Sequence, residues 1–170
     1  LASSAITSQE FVENILSWVK SQKSEFQIVK KDFEWNTLIK DCIEEQNSIC
    51  KFKNIEILFH SNSWPLIGQG DSSMLGSVVR NLLANAIRAT SDSQKITVKL
   101  ISLNKKVRIE VIDEGLGMNQ EILAKIREPS LAFFGENQSN FNSFGIGLTI
   151  VKHFLKLHQG EFFIESTLNK

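Results

Sequence analysis

The sequence predicts a two-layer α/β sandwich, with a mixed sheet and helices packed on one face. Two observations carry this expectation. Segments with apolar residues at helical spacing are interleaved with short runs that alternate apolar and polar residues. Two of those runs, 95–102 and 106–112, flank Asn104-Lys105, which signals an antiparallel hairpin inside the sheet.

Taken in order, residues 8–24 read as a helix, with Phe11, Ile15, Trp18 and Val19 on one side and Thr7 or Ser8 as cap. Residues 26–33 form a strand candidate. Residues 35–49 read as a second amphipathic helix, with Leu38, Ile39, Cys42, Ile43 and Ile49 together. The alternation in 54–60 predicts a strand. Pro65 opens an extended piece that ends at Gly68 and Gly70. Asp71 then caps a long helix reaching about Thr90, since its carboxylate can accept from the free N–H groups of the first turn. After the hairpin, 119–127 reads as a short helix. Residues 128–144, with Pro, Gly, Asn and Ser around Phe133, Phe134 and Phe141, read as a loop. Gly145 opens a helix to about His158, Gly160 stops it, and 161–166 make a last strand. The expected division is a helical stub over 1–24 and a globular domain over 25–170.

Composition narrows the function. The chain has 170 residues, of which 42% are hydrophobic and 22% charged, enough for one domain with a real core. Its formal net charge is zero, which speaks against nucleic acid or an anionic membrane surface as partner. No apolar run approaches a membrane span, and no signal-peptide pattern is present. Because the chain does not begin with Met, it reads as a piece of a longer protein. Cys42 and Cys50 have no nearby His pair, so they make neither a zinc site nor a disulfide framework and read as buried free thiols.

Three stretches carry chemistry. In Asn81-Leu-Leu-Ala-Asn85-Ala-Ile-Arg88, the polar residues at i, i+4 and i+7 share one face of an otherwise apolar helix. Buried amides need partners. A single Asn oxygen suits a magnesium ion, whose remaining shell is substrate phosphate and water. Arg88 can reach a phosphate oxygen. In Asp113-Glu-Gly115-Leu-Gly117, a strand runs into a glycine turn. A carboxylate at that strand end can accept from the exocyclic amine of adenine, where guanine has an oxygen. In Gly145-Ile146-Gly147-Leu148, a glycine-opened helix start offers free N–H groups to phosphate. Together these are the inventory of an ATP site.

At this order and spacing the stretches resemble the ATP-binding domain of sensor histidine kinases, in the superfamily that also holds gyrase B-type ATPases, MutL-type repair proteins and heat-shock chaperone ATPases. The first looks like the asparagine box, N-L-L-x-N-A; the others look like the two glycine boxes, D-x-G-x-G and G-x-G-L. The resemblance implies that Asn85 ligates magnesium, that Arg88 contacts phosphate and that Asp113 reads adenine. It implies that Gly115, Gly117, Gly145, Ile146, Gly147 and Leu148 line the nucleotide, and that 128–144 form the ATP lid. Asn81 stands where gyrase-type and chaperone relatives carry a Glu general base. An amide cannot take that proton, so the site should hold ATP for transfer rather than hydrolyse it quickly. The chain departs from the family at Glu114, Gln159, Ala89 and in its Glu128-Pro129 phenylalanine box, whose Phe is displaced.

The resemblance further implies a phosphoacceptor His on a dimerisation hairpin, a homodimeric parent protein and a response regulator receiver domain as downstream partner. His60, His153 and His158 do not lie on the N-terminal helix, so the acceptor is expected outside this chain. The expected setting is cytoplasmic, with membrane anchoring left to the parent. A Ser-directed kinase of the same superfamily and a degenerate, non-catalytic nucleotide-binding module are the alternatives. Lys152, His153 and His158 read as structural or solvated.

Overall fold

A computed structural model describes residues 28–127 and 145–168, with side chains described from Gly147 in the second segment. The elements are β1 (Lys31–Glu34), α1 (Trp35–Glu45), α2 (Asn47–Lys53), β2 (Glu56–Ser61), β3 (Ile67–Gly70), α3 (Ser72–Ala89), β4 (Lys95–Leu103), β5 (Lys106–Asp113), α4 (Gln120–Arg127) and α5 (Gly145–Leu157). The expected helix over 8–24, the start of the strand over 26–33 and the loop over 128–144 lie outside the described residues.

β2 and β4 pair in parallel and β4 and β5 antiparallel, in the order β2-β4-β5. The registers place Ile57 opposite Ile96, Phe59 opposite Val98, Val98 opposite Val111, and Leu100 opposite Ile109. Alternation therefore puts these side chains on one face, against Ile39, Cys42, Leu75, Val79, Leu83 and Ile87 of the helices. The opposite face carries His60, Lys99, Glu110 and Arg108 in cross-strand pairs. This is the expected mixed sheet with a helical layer. A separate antiparallel ribbon joins β1 to β3. Its loop is anchored by the fully buried Asn36. The Asn36 amide donates to Ser61 Oγ at 2.9 Å and to the Ser63 carbonyl at 3.0 Å, and accepts from the Leu66 N–H at 2.8 Å. Every polar atom of that buried side chain is satisfied.

α3 matches the sequence reading. Asp71 Oδ1 accepts from the N–H groups of Ser73 at 3.0 Å and Met74 at 3.1 Å. One side of α3 enters the core under the sheet. Its other apolar residues, Met74 and Val78, meet Ile150, Val151 and Phe154 of α5 in a second cluster. α3 is thus gripped on two sides and supports both ends of the site.

Three expectations needed correction. The helix over 35–49 breaks at Gln46, whose φ of −88° and ψ of −4° end α1 before α2 starts. A straight helix would rotate Cys50 about 80° away from Cys42. The break instead buries both thiols, leaving Ile49 36% exposed. Residues 161–166 form no strand. Phe162 and Ile164 alternate inward, but single hydrogen bonds rather than a ladder hold the segment among the described residues. Arg127 donates to the Ile164 carbonyl at 3.0 Å, and Ser166 Oγ accepts from the Met118 N–H at 2.9 Å. Finally, the left-handed residue that ends α5 is Gln159, with φ of 58°, and not Gly160. Gly160 N–H bonds the Leu155 carbonyl at 2.8 Å and Gln159 N–H the Lys156 carbonyl at 3.1 Å, the Schellman pattern.

Candidate functional site

Asn81, Asn85 and Arg88 lie along one side of α3, as their spacing requires. The Asn81 amide donates to the Ser77 carbonyl one turn back at 2.8 Å. Its oxygen is thereby aimed at α5, where a Cβ on Gly147 would stand 2.7 Å from it. Only a bare backbone fits there, so the start of α5 lies directly against the asparagine face. Asn85 is half-buried. Its oxygen accepts from the Arg88 guanidinium at 3.3 Å, while its buried Nδ2 has no hydrogen-bond partner among the described residues. A buried amide left incomplete by the protein is a place for a ligand oxygen.

The second turn meets α3 at its other end. Gly115 rests on the Ala89 carbonyl, which a Cβ would approach to 2.5 Å. Asp113, at the end of β5, accepts the Gly115 N–H at 3.0 Å. Asp113 is exposed, although a strand end that reads adenine is expected to be buried. Glu114 accepts from the Lys95 N–H at 3.0 Å, which ties the turn to the start of β4. Gly117 holds a φ of 71° beside Thr167, a backbone state open to glycine. Leu148 is buried, and Gly145 starts α5. The surroundings of Gly145 and Ile146 side-chain positions lie outside the described residues.

α3 therefore bridges the two glycine turns. From Asn81 to Ala89 the helix rises about 12 Å. The face between them carries the amides of Asn81 and Asn85 and then the guanidinium of Arg88, and the Asp113 turn is seated against its C-terminal end. Among the described residues, no three His, Cys, Asp or Glu side chains gather around a metal position. A cation here would take an Asn oxygen and complete its shell from phosphate and water, which suits magnesium.

The remaining titratable groups are structural. His158 Nε2 accepts from the Asp71 N–H at 3.1 Å, and its Nδ1 donates to the Phe154 carbonyl at 2.8 Å. These partners select the neutral Nδ1–H tautomer and tie the end of α5 to the cap of α3. Lys152 donates to the Ile126 carbonyl of α4. Burial, then Lys156, lowers the pKa of His153. Burial pushes the Cys42 thiol up to about 11 and raises that of Cys50. Sequence reasoning missed Ser77, the Ala89 carbonyl and the anchoring role of Glu114. Ser77 alone left a signal, one helical turn before Asn81.

Residues 70–170 match the family described as histidine kinase-, DNA gyrase B- and HSP90-like ATPases. The chain belongs to this family. Among its relatives is the autoinducer 2 sensor kinase/phosphatase LuxQ of Vibrio vulnificus, 28% identical over 166 residues, covering 94% of this chain and 19% of LuxQ. The sensor protein KdpD of Clostridium acetobutylicum is 30% identical over 152 residues, covering 88% of this chain and 16% of KdpD. The chain thus spans less than a fifth of either relative. The nucleotide-free catalytic domain of histidine kinase ThkA superposes with a TM-score of 0.64 at 26% identity, over 77% of this chain and 81% of ThkA's. Full-length ShkA, in complex with AMPPNP, shares the fold with a TM-score of 0.75 at 20% identity, over 94% of this chain and 33% of ShkA's. Within the ATPase family, then, the chain is like the catalytic ATP-binding parts of sensor histidine kinases.

Proposed function

We propose that the groove along α3 holds ATP with its adenine at Asp113 and its triphosphate at Asn85, Arg88 and the start of α5. The observation that carries this reading is the bridging of both glycine turns by one helix whose buried Asn85 Nδ2 has no partner among the described residues. Asp113 accepts from the adenine amine. Gly115 and Gly117 let the base lie against backbone. The N–H groups from Gly145 to Leu148 receive phosphate oxygens. Asn85 offers an oxygen to magnesium, which when bound neutralises phosphate charge. Asn81, an amide oriented by Ser77, supplies no base for water.

The domain's task is then to position the γ-phosphoryl for in-line transfer to a His on a dimerisation hairpin of the parent protein. From there it passes to a response regulator receiver domain. The parent acts as a homodimer and presents this domain to the cytoplasm. No described helix is long and apolar enough to cross a membrane.

Titration with a non-hydrolysable ATP analogue, with and without magnesium, tests the site. Asp113→Ala lowers affinity in both conditions, and Asn85→Ala abolishes the gain given by magnesium. Unchanged affinity in both variants would refute the assignment. Adding the family's hairpin in trans yields acid-labile phosphohistidine; acid-stable phosphate would indicate a Ser-directed kinase, and no phosphate with intact nucleotide binding a degenerate module.

A further inference from the structure

The corner beneath the Asp113 turn is closed by a side chain outside all three motifs. Lys53, the last residue of α2, donates from Nζ to the carbonyls of Ile87 and Thr90, each at 2.7 Å. The Ile87 carbonyl belongs to the last turn of α3, where the helix's own ladder has run out. A cation there also faces the negative end of the helix dipole. The Lys53 backbone is held in the same corner. Its carbonyl accepts from the Ser93 N–H at 3.2 Å, and the side chains of Asn54 and Ser93 meet at 3.0 Å. Between the two carbonyls gripped by Lys53 lies Ala89, whose own carbonyl bears Gly115. The Glu114 bond to Lys95 closes the circuit.

We propose that Lys53 is a positioning residue for base recognition. It sets the last turn of α3, which sets the seat of Gly115, which sets the Asp113 carboxylate. This inference rests on the reading of Asp113 as the adenine acceptor. Asn81 lies six residues and Asn85 two residues before Ile87 on α3, and Arg88 lies between the two clasped carbonyls. Loss of Lys53 therefore lowers base selectivity, which is read as a ratio between two nucleotides with the same phosphates, so that any change at the phosphate end cancels.

The test compares ADP with inosine diphosphate, which has an oxygen in place of the adenine amine. Their affinity ratio for the full chain, measured by calorimetry on protein shown folded by circular dichroism, reads the base contact alone. Lys53→Met lowers the ratio about fivefold, the loss expected for one net hydrogen bond. Lys53→Gln, which keeps one donor group, falls between, and Lys53→Arg stays within about twofold of the native ratio. A lowered Tm with an unchanged ratio makes Lys53 a helix cap only and overturns the proposal. If Lys53→Met does not fold, a native ratio in Lys53→Gln overturns it equally. Asp113→Ala separates the two claims. A ratio unmoved by Asp113→Ala sinks the site reading itself. A ratio lost in Asp113→Ala but kept in both Lys53→Met and Lys53→Gln sinks this inference alone.

Discussion

The side chain of Asn81 is locked from both sides, by Ser77 behind and Gly147 in front. That contact makes Gly147 intolerant of even one methyl. Gly147→Ala forces the start of α5 off the asparagine face and destabilises the fold by about 1–3 kcal/mol in urea melts. Combining it with Asn81→Ala relieves the collision, so the double variant loses less than the two single losses summed. Strict additivity would mean that the two residues do not touch. Cys42 shows the opposite residue-scale logic. Its thiol is sealed in the core, so it should resist a thiol reagent at pH 8 until the chain is unfolded.

Among the elements, α5 ends on a residue poorly suited to its place. Gln159 adopts a left-handed conformation that costs a side-chain-bearing residue about 1–2 kcal/mol. Gln159→Gly should therefore raise stability by up to about 1 kcal/mol, part of the gain being lost to the freer unfolded chain. A Tm that falls would contradict the cap geometry. The same elements show what could be read from residues alone. α3 and the hairpin were legible because Asp71, the apolar period and Asn104-Lys105 are local signals. The break at Gln46 was not, because it answers a packing demand from Cys50 that no neighbour in sequence reveals. Nor was the absence of a strand after Gly160, since alternation marks which side chains face inward but cannot supply a pairing partner. The motif residues Asn81, Asn85, Asp113 and Gly147 were found by type and spacing. The parts that hold them, Lys53 and the Ala89 carbonyl, come from distant segments or from backbone, which carries no residue signature.

At the scale of the whole molecule, the thiols of Cys42 and Cys50 and the imidazole of His153 shape the stability curve against pH. The Cys42 thiol sits at about 11 against an ordinary 9.0. Between those values the folded chain keeps a proton that the unfolded chain releases, so stability declines as pH rises past 9. For His153 the folded value lies below the ordinary 6.5, so on acidification the unfolded chain takes the proton first. Stability then declines as pH falls through 6.5. Urea midpoints measured across pH should show both limbs; Cys42→Ala should flatten the alkaline one and His153→Gln should soften the acid one. The sheet order has a further consequence. β4 alone among its three strands is bonded along both edges, in parallel to a strand before α3 and antiparallel to the strand that ends at Asp113. Its amides alternate between the two edges, so full labelling needs both neighbours to let go. In an exchange experiment the set facing β5 should be among the last to label, and any event that frees it must also release the strand that ends at Asp113.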